Sequence, residues 1–422
     1  MPAEWFGGRN ALAFLAWQLH EAERMIRSLP GSITEKKENT MRFGSNPLAL
    51  VVMGCIAGAW SATALAQQPS SFTVYAQGLN APRGLAFGPD GYLYVAEAGM
   101  GGSNKTDPKT CLQVPVPVGP YGGGSTGRIS KVSPSHAVTT VASGFPSAQD
   151  ALGDLIGVAD VKFADGTLYA LIAAGGCEHG NPEAKSGVAQ VDRSTGKWTL
   201  IADISAFLKS HPAKFTAADD FESDGTLYSM IVVRGALVAV EPNHGQVLSI
   251  DRRGGGIKQL IDISAFEGHI VPTSIAERND TFYVGNLNLF PIDPDWARVL
   301  TISKGDSDDE FGLAPGFGQK HGYRVTGSKA GFTTVVGVSF GPDGLLYALE
   351  LSDGPGFPAL GAGKVVRVKR SGDIEDVITG LNVPTAMTFG PDGRLYVSDF
   401  GAAPAPIFGA GRILQFDVAA GW

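Results

Sequence analysis

The sequence contains no block of lysine or arginine, and its formal net charge is −8. Binding to nucleic acid or to an anionic membrane surface depends on clustered positive charge. The composition therefore argues against both as partners. The sequence also lacks an apolar run of the roughly 20 residues that a membrane-spanning helix needs. Its most apolar N-terminal segment, Leu48 to Trp60, is shorter than that.

That segment instead has the pattern of an export signal. A second start, Met41-Arg42, precedes it, and the cleavage-site pattern Ala64-Leu-Ala66 follows it. We predict that translation begins at Met41, that residues 1–40 are an upstream extension, and that a signal peptide, Met41–Ala66, is removed. The predicted mature protein is periplasmic or secreted, has no membrane attachment and is a monomer. An uncleaved membrane anchor is the alternative.

Cysteine is also scarce, with 3 in the 422 residues. Cys55 lies in the predicted leader, so the mature chain keeps Cys111 and Cys177. Two cysteines in an exported chain suggest one disulfide, and two free thiols are the alternative.

Glycine and proline, by contrast, are plentiful, and both belong to a repeated turn. The stretch Phe87-Gly-Pro-Asp-Gly-Tyr-Leu-Tyr-Val95 returns as Phe340–Ala348 and Phe389–Val397, and looser copies are Phe163–Tyr169, Phe221–Tyr228 and Asn279–Tyr283. Proline presets φ, Asp-Gly accommodates φ > 0, and the following Leu-Tyr-Val returns as an antiparallel strand. The copies therefore predict six β-hairpins.

The spacing of these hairpins predicts an all-β fold, a six-bladed β-propeller of four-stranded antiparallel blades. The hairpins recur at about 60 residues, and alternating segments such as Gly363–Val368 and Ile374–Ile378 supply the other strands. The last unit lacks a fourth strand, and Phe72–Ala76 has the pattern to fill that place and close the ring. Residues 67–422 are thus predicted to form one domain with little helix.

Loop lengths indicate which face of the propeller is functional. Connections from second to third strands are long at Ala98–Thr126, Ala173–Ser186 and Asp353–Ala362. Antiparallel alternation places them, with the entries to the innermost strands, on one face, here called the long-loop face. Binding residues favour loops on a rigid scaffold, and a Cys111–Cys177 bridge would join two such loops. The insertion Gly305–Lys320 is predicted to project from the opposite face.

Several stretches of the chain occur together in a known family. They are Asn80-Ala-Pro-Arg-Gly-Leu-Ala-Phe87, Gly176-Cys-Glu-His-Gly-Asn-Pro182, Glu241-Pro-Asn-His-Gly245 and Gly268-His-Ile-Val-Pro-Thr273. In these stretches the chain resembles the ScyD/ScyE family of exported propeller proteins, distant relatives of NHL-repeat proteins. The resemblance implies the fold and the export route, without a defined reaction.

Histidines mark a candidate binding site. His179, His244 and His269 lie in loops assigned to the long-loop face, and Glu241 and Asn243 accompany His244. Neutral imidazoles near carboxylates can serve acid–base chemistry or bind a transition metal. The alternative is that each histidine is a hydrogen-bonded strut of its loop. No pair shows a tight ligand spacing, which argues against zinc.

One repeat position marks a candidate metal site. Three residues beyond each repeat tyrosine stand Glu97, Asn286, Glu350 and Asp399, with Ile172 and Ile231 in the other two units. Equivalent positions converge on one rim, and three carboxylates with an amide suit a hard cation such as Ca²⁺. The alternative is that each side chain caps a strand end.

Two function classes follow. In the first, an exported propeller binds a small molecule, a glycan or a protein partner on the long-loop face. The alternative is a Ca²⁺-dependent hydrolase or lactonase of the six-bladed propeller type. The sequence lacks a complete catalytic constellation, and a fold alone does not imply a reaction. We therefore favour binding.

Overall fold

The computed structural model describes residues 72–218, 221–305, 322–403 and 408–418. They belong to the second of two compact units, Pro69–Trp422. The predicted leader, its cleavage site and all but the first residue of the insertion Gly305–Lys320 lie outside the described residues. Within those ranges, no helix is long and apolar enough to cross a bilayer.

Six antiparallel sheets form the fold, and each is one blade. The first described strand, β1 (Thr73–Leu79), belongs to blade six. Blade one contains β2 (Pro82–Phe87), β3 (Leu93–Glu97), β4 (Gly122–Val132) and β5 (Val138–Gln149), with a short added strand β6 (Leu155–Ile156). Blade two contains β7 (Val158–Ala164), β8 (Thr167–Ile172), β9 (Gly187–Val191) and β10 (Trp198–Asp203).

The remaining blades repeat this order. Blade three contains β11 (Ser229–Val233), β12 (Ala236–Glu241), β13 (Gln246–Ile250) and β14 (Ile257–Asp262). Blade four contains β15 (Pro272–Arg278), β16 (Thr281–Asn286), β17 (Ala297–Lys304) and β18 (Tyr323–Phe332). Blade five contains β19 (Val335–Phe340), β20 (Leu346–Glu350), β21 (Gly363–Val368) and β22 (Ile374–Leu381). Blade six contains β23 (Ala386–Phe389), β24 (Leu395–Asp399) and β25 (Gly411–Phe416).

Two short helices, α1 (Ile204–Ser210) and α2 (Ser264–Glu267), lie in connections between blades. The Asp203 side chain accepts a hydrogen bond from the Ala206 amide and so caps α1 at its N-terminus.

The N-terminal strand closes the ring, as predicted. β1 pairs antiparallel with β25, from Thr73 opposite Gln415 to Leu79 opposite Gly411. Blade six therefore has the strand order β1-β25-β24-β23 and joins the two ends of the described chain. The closure covers an edge of β25 that would otherwise present unpaired backbone groups.

The repeated turn has a local cause that includes its tyrosine. Gly91 adopts a positive φ of 77°, and the Asp90 carboxylate before it accepts a 2.8 Å hydrogen bond from the Tyr94 hydroxyl. The corresponding bonds from Tyr347 to Asp343 and from Tyr396 to Asp392 both measure 2.9 Å. The aspartate thus fixes both the turn and the strand that follows.

These three tyrosines and Tyr283 also hold neighbouring blades together. Each forms an edge-to-face contact with a phenylalanine at or next to the end of the first strand of the next blade. The centroid distances are 4.8 Å for Tyr94–Phe163, 4.9 Å for Tyr283–Phe340, 5.1 Å for Tyr347–Phe389 and 5.0 Å for Tyr396–Phe87. The last pair joins blade six to blade one.

The predicted hairpin Phe221–Tyr228 is wrong. This stretch precedes β11, and the hairpin of blade three turns at Arg234 and Gly235, both with positive φ. Asp224-Gly225 does form a turn, with Gly225 at φ 74°, but no strand returns from it. Because β11 and β12 contain neither phenylalanine nor tyrosine, the true hairpin of blade three lacks the repeat pattern.

The disulfide Cys111–Cys177 is confirmed. It joins the β3–β4 connection of blade one to the β8–β9 connection of blade two. The Thr106 hydroxyl also donates a 2.7 Å hydrogen bond to the Cys177 carbonyl. The bridge therefore restrains two long loops of adjacent blades on the long-loop face.

Removing β1 tests the importance of ring closure. We expect a chain truncated through Gln77 to aggregate or to lose most of its thermal stability, because β25 becomes an exposed edge. Size-exclusion chromatography and circular dichroism melting measure both effects. A chain that begins at Phe72 keeps β1 and is the matched control. Equal melting of the two truncations would show that the strand is dispensable.

Candidate functional site

The second strand of every blade ends at one equivalent position, called the rim position. It is occupied by Glu97, Ile172, Glu241, Asn286, Glu350 and Asp399. The predicted assignment of Ile231 to this position is wrong, because it followed from the misplaced hairpin. Glu241, predicted as a binding residue, takes its place.

The polar rim side chains bind the backbone of the segment that enters their own blade. Four carboxylates accept bonds from amides at 2.6–2.9 Å, and Asn286 donates to a carbonyl at 2.9 Å. These bonds link Glu97 to Asn80, Glu241 to Thr226, Glu350 to Thr333, Asp399 to Asn382 and Asn286 to Ile270. The rim position therefore connects the end of a second strand to the start of the first strand in the same blade.

Two rim carboxylates are also paired with arginines. Glu97 lies 2.8 Å from Arg128 and Asp399 lies 2.7 Å from Arg412. Among the described residues, no group of three or more His, Cys, Asp or Glu side chains could hold a metal ion. The contacts support the capping role, and a shared Ca²⁺ at Glu97, Asn286, Glu350 and Asp399 stays a prediction.

Four of the five predicted binding residues surround one glutamate that sequence reasoning missed, Glu222. The Glu222 amide donates to Asn243 Oδ1 at 2.7 Å, and its carbonyl lies 3.0 Å from His244 Nε2. The Glu222 carboxylate lies 3.0 Å from His179 Nε2. Glu241 accepts bonds from the Asn243 and His244 amides and so orders the same loop. The fifth predicted residue, His269, lies on the same face in the segment that leads into β15.

The Glu222 carboxylate belongs to a buried ion pair. Burial alone would lower the pKa of His179, but the hydrogen bond and charge of Glu222 raise it above its usual value. Burial would likewise raise the pKa of Glu222, yet His179 holds it below the usual carboxyl value. Tyr121 donates a 2.9 Å bond to the same carboxylate. His179 is 0% exposed and Glu222 3%, so the pair orders the loops and does not face solvent.

A second polar group, partly open to solvent, lies at the entries to the first strands. We call Arg83, Asp150, Asp154 and Tyr228 the axial cluster. Arg83, from β2, lies 3.3 Å from both oxygens of Asp154 and also donates to the Leu155 carbonyl. The side chain of Asp154 is 35% exposed, against 10% for Arg83.

Tyr228 extends the axial cluster across the ring. It precedes β11 of blade three, and its hydroxyl donates a 3.1 Å bond to the Thr385 carbonyl at the entry to blade six. Blades three and six are opposite one another in a ring of six, so this bond crosses the propeller axis. Burial raises the pKa of Tyr228 to about 12, although the nearby Arg83 charge acts in the opposite direction.

Asp150 and Asp154 form a carboxylate pair in one turn. The Asp154 amide donates to Asp150 Oδ1 at 2.7 Å. Burial raises the pKa of Asp150 well above the usual carboxyl value, and the charge of Asp154 raises it further. Such a pair offers a proton donor next to a proton acceptor. The blade-six loop completes the pair, because the Ala403 amide donates to Asp154 at 3.1 Å.

Sequence reasoning missed the axial cluster. Arg83 lies in the stretch Asn80–Phe87 that resembles the ScyD/ScyE family, which was the available signal. The repeat pattern predicts that Tyr228 is a strand residue, whereas it precedes β11. Asp150 and Asp154 lie in a connection that carries no motif.

Comparisons with known proteins add a likeness of fold. No protein-family model matches the chain, and no curated protein matches its sequence. A putative glucose dehydrogenase from Thermus thermophilus is 14% identical, with a TM-score of 0.48, covering 82% of this chain and 99% of that one. Regucalcin, a calcium-binding protein from Agrobacterium tumefaciens, is 16% identical, with a TM-score of 0.47 and coverages of 82% and 94%.

A gluconolactonase from Xanthomonas campestris is 11% identical, with a TM-score of 0.45 and coverages of 82% and 88%. At such identities and TM-scores we infer nothing about activity from these similarities. None of them names the ScyD/ScyE family, so that resemblance stays a prediction.

Replacing Asp150 tests its raised pKa. Between the usual carboxyl pKa and its raised pKa, Asp150 keeps its proton in the folded protein and has released it in the unfolded chain. The stability of the folded protein therefore falls as pH rises through this range. Asp150→Asn removes this dependence and keeps an oxygen acceptor for the Asp154 amide. We expect the melting temperature of the variant, relative to that of the parent, to rise between pH 4 and pH 9. The change is about 2–4 °C for each kcal/mol of burial cost that the substitution removes. Asp293 is exposed, and Asp293→Asn is the control. If the difference in melting temperature between Asp150→Asn and the parent does not change with pH, the raised pKa of Asp150 is contradicted.

Proposed function

We propose that the protein binds a small, oxygen-rich molecule at the axial cluster on the long-loop face. One observation carries this proposal: hydrogen-bonding side chains from blade one, the blade-two entry and blade three meet near the axis, and the Asp154 side chain stays 35% exposed. Binding sites for small molecules combine a few convergent polar groups with a rigid scaffold.

The chemistry of the cluster defines the class of ligand. The remaining N–H groups of the Arg83 guanidinium are donors suited to carbonyl, carboxyl or hydroxyl oxygens. The Tyr228 hydroxyl, which donates to the Thr385 carbonyl, can accept a bond from a ligand hydroxyl. The carboxylates of Asp150 and Asp154 accept hydrogen bonds from hydroxyl groups. Sugars, sugar acids, hydroxy acids and lactones present such oxygens. The buried pair of His179 and Glu222 supports this site by ordering the loops beside it.

Calorimetric titration with a panel of sugars, sugar acids, hydroxy acids and lactones tests the proposal. We expect both Asp154→Asn and Tyr228→Phe to weaken binding of the best ligand. The loss is about 10- to 150-fold for Asp154→Asn, because it removes a charged contact. Asp373→Asn, in an exposed turn of the opposite face, is the matched control. Absence of binding by the whole panel would overturn the proposal, and equal binding by parent and both variants would place the ligand elsewhere.

A second candidate function is hydrolysis of a lactone or ester, favoured by the pair of Asp150 and Asp154 beside Arg83. In this candidate Asp154 takes a proton from the water that attacks the carbonyl carbon, and Arg83 faces the carbonyl oxygen. Asp150 gives its proton to the leaving oxygen as the bond between that oxygen and the carbonyl carbon breaks, so a lactone yields a hydroxy acid and an ester yields an acid and an alcohol. The two carboxyl groups then exchange a proton to regain their starting states.

The sequence alone predicted a calcium-dependent form of this activity. The rim carboxylates already accept bonds from backbone amides, and Glu97 and Asp399 are also paired with arginines, so a shared cation there stays a prediction. In the candidate reaction the side chains of Asp150, Asp154 and Arg83 carry every step.

Hydrolysis is measured on the lactone and ester members of the panel, with calcium and with a chelator. We expect activity that does not depend on calcium and that falls about 10²- to 10⁴-fold in Asp150→Asn and in Asp154→Asn. Glu350→Ala should leave it intact. A rise in melting temperature with calcium that Glu350→Ala abolishes would instead restore the rim cation. If no member of the panel is hydrolysed, this candidate is overturned and binding is the remaining proposed function.

A further inference from the structure

Exposed apolar side chains are unevenly distributed over the described residues. Apart from Phe72, Val74 and Val232, every large apolar side chain exposed there lies in a connection of the long-loop face. Single exposed apolar residues are ordinary, but their concentration on one face marks a surface that binds something.

Three of these side chains lie in segments that contact the axial cluster or the chain that leads into β2 and Arg83, and we call them the apolar collar. Leu152, 37% exposed, stands in the turn between Asp150 and Asp154. Val116, 79% exposed, lies in the blade-one loop that accepts a 2.8 Å bond from the Ala151 amide through its Val118 carbonyl. Phe408, 54% exposed, precedes Gly409, whose amide donates a 2.9 Å bond to Asn80 Oδ1, three residues before Arg83.

The collar and the cluster therefore present two kinds of chemistry side by side. A purely polar ligand would use Arg83, Asp154 and Tyr228 and leave the collar in water. A purely apolar ligand would remove water from the charged groups without offering them new hydrogen bonds, which is costly. A molecule with an oxygen-bearing head and an apolar tail satisfies both.

We propose that the ligand of the axial cluster is an amphipathic small molecule, whose oxygen-bearing head binds the cluster and whose hydrocarbon chain or ring lies against the apolar collar. This rests on the proposed function and names its class of ligand. The polar head determines the position of the molecule. The collar contributes affinity in proportion to the apolar area that leaves water.

A series of γ-lactones with increasing alkyl chain length, titrated calorimetrically, tests this class. We expect affinity for the parent protein to rise about fourfold per added methylene while the chain covers the collar. Leu152→Ser and Phe408→Ser should flatten this dependence and leave affinity for the shortest lactone unchanged. Val232→Ser, an equally simple change on the opposite face, should keep the full dependence. Melting curves of all three variants check that each is folded.

The outcomes separate the two proposals. Binding of the short lactone without any gain along the series overturns the amphipathic ligand and leaves the axial site intact, as expected if the collar docks a protein. A gain along the series that survives in both collar variants also overturns it, because the chain then lies elsewhere. Failure of every member of the series and of the wider panel to bind overturns the proposed function and this inference together.

Discussion

The edge-to-face contact between the repeat tyrosine of one blade and the phenylalanine of the next is the interaction on which the rest of the structure depends. The same tyrosine bonds the aspartate of its own turn, so one residue ties a local hairpin to a neighbouring blade. Such ring pairs are worth about 0.5–1.5 kcal/mol beyond the area they bury. They occur at four of the six junctions between blades and, together with the closing strand β1, hold the entries to the first strands at fixed positions.

That rigidity explains how the protein keeps charged groups near its axis. Removing a carboxylate from water is costly unless donors replace its hydration. Glu222 meets this condition through His179, Tyr121 and the side chain of Thr226. Asp154 meets it in part, through Arg83 and the Ala403 amide, and keeps exposed surface. The first group therefore orders the loops, and the second remains able to exchange solvent for a ligand.

Much of the fold could be predicted, because turn chemistry acts over a few neighbouring residues. Three copies of Pro-Asp-Gly with its Leu-Tyr strand and two looser copies identified five hairpins, and the unfilled last unit identified β1 as the closing strand. The pairing of Cys111 with Cys177 followed from two long loops on one face. Blade three was misread because its hairpin, at Arg234 and Gly235, lacks the repeat pattern that the preceding connection carries by coincidence. That error also hid Glu241 as a rim residue and Glu222 as the centre of the buried network.

The sequence by itself determined the blade type, the number of blades and the face with long loops, since each depends on contacts between residues near in the chain. Only the tertiary structure decided which charges meet. Tyr228 and Thr385 are 157 residues apart, and Arg83 and Asp154 are 71 apart. No local pattern relates these positions, because their proximity arises from closing six blades into one ring. The axial cluster is therefore a product of ring geometry.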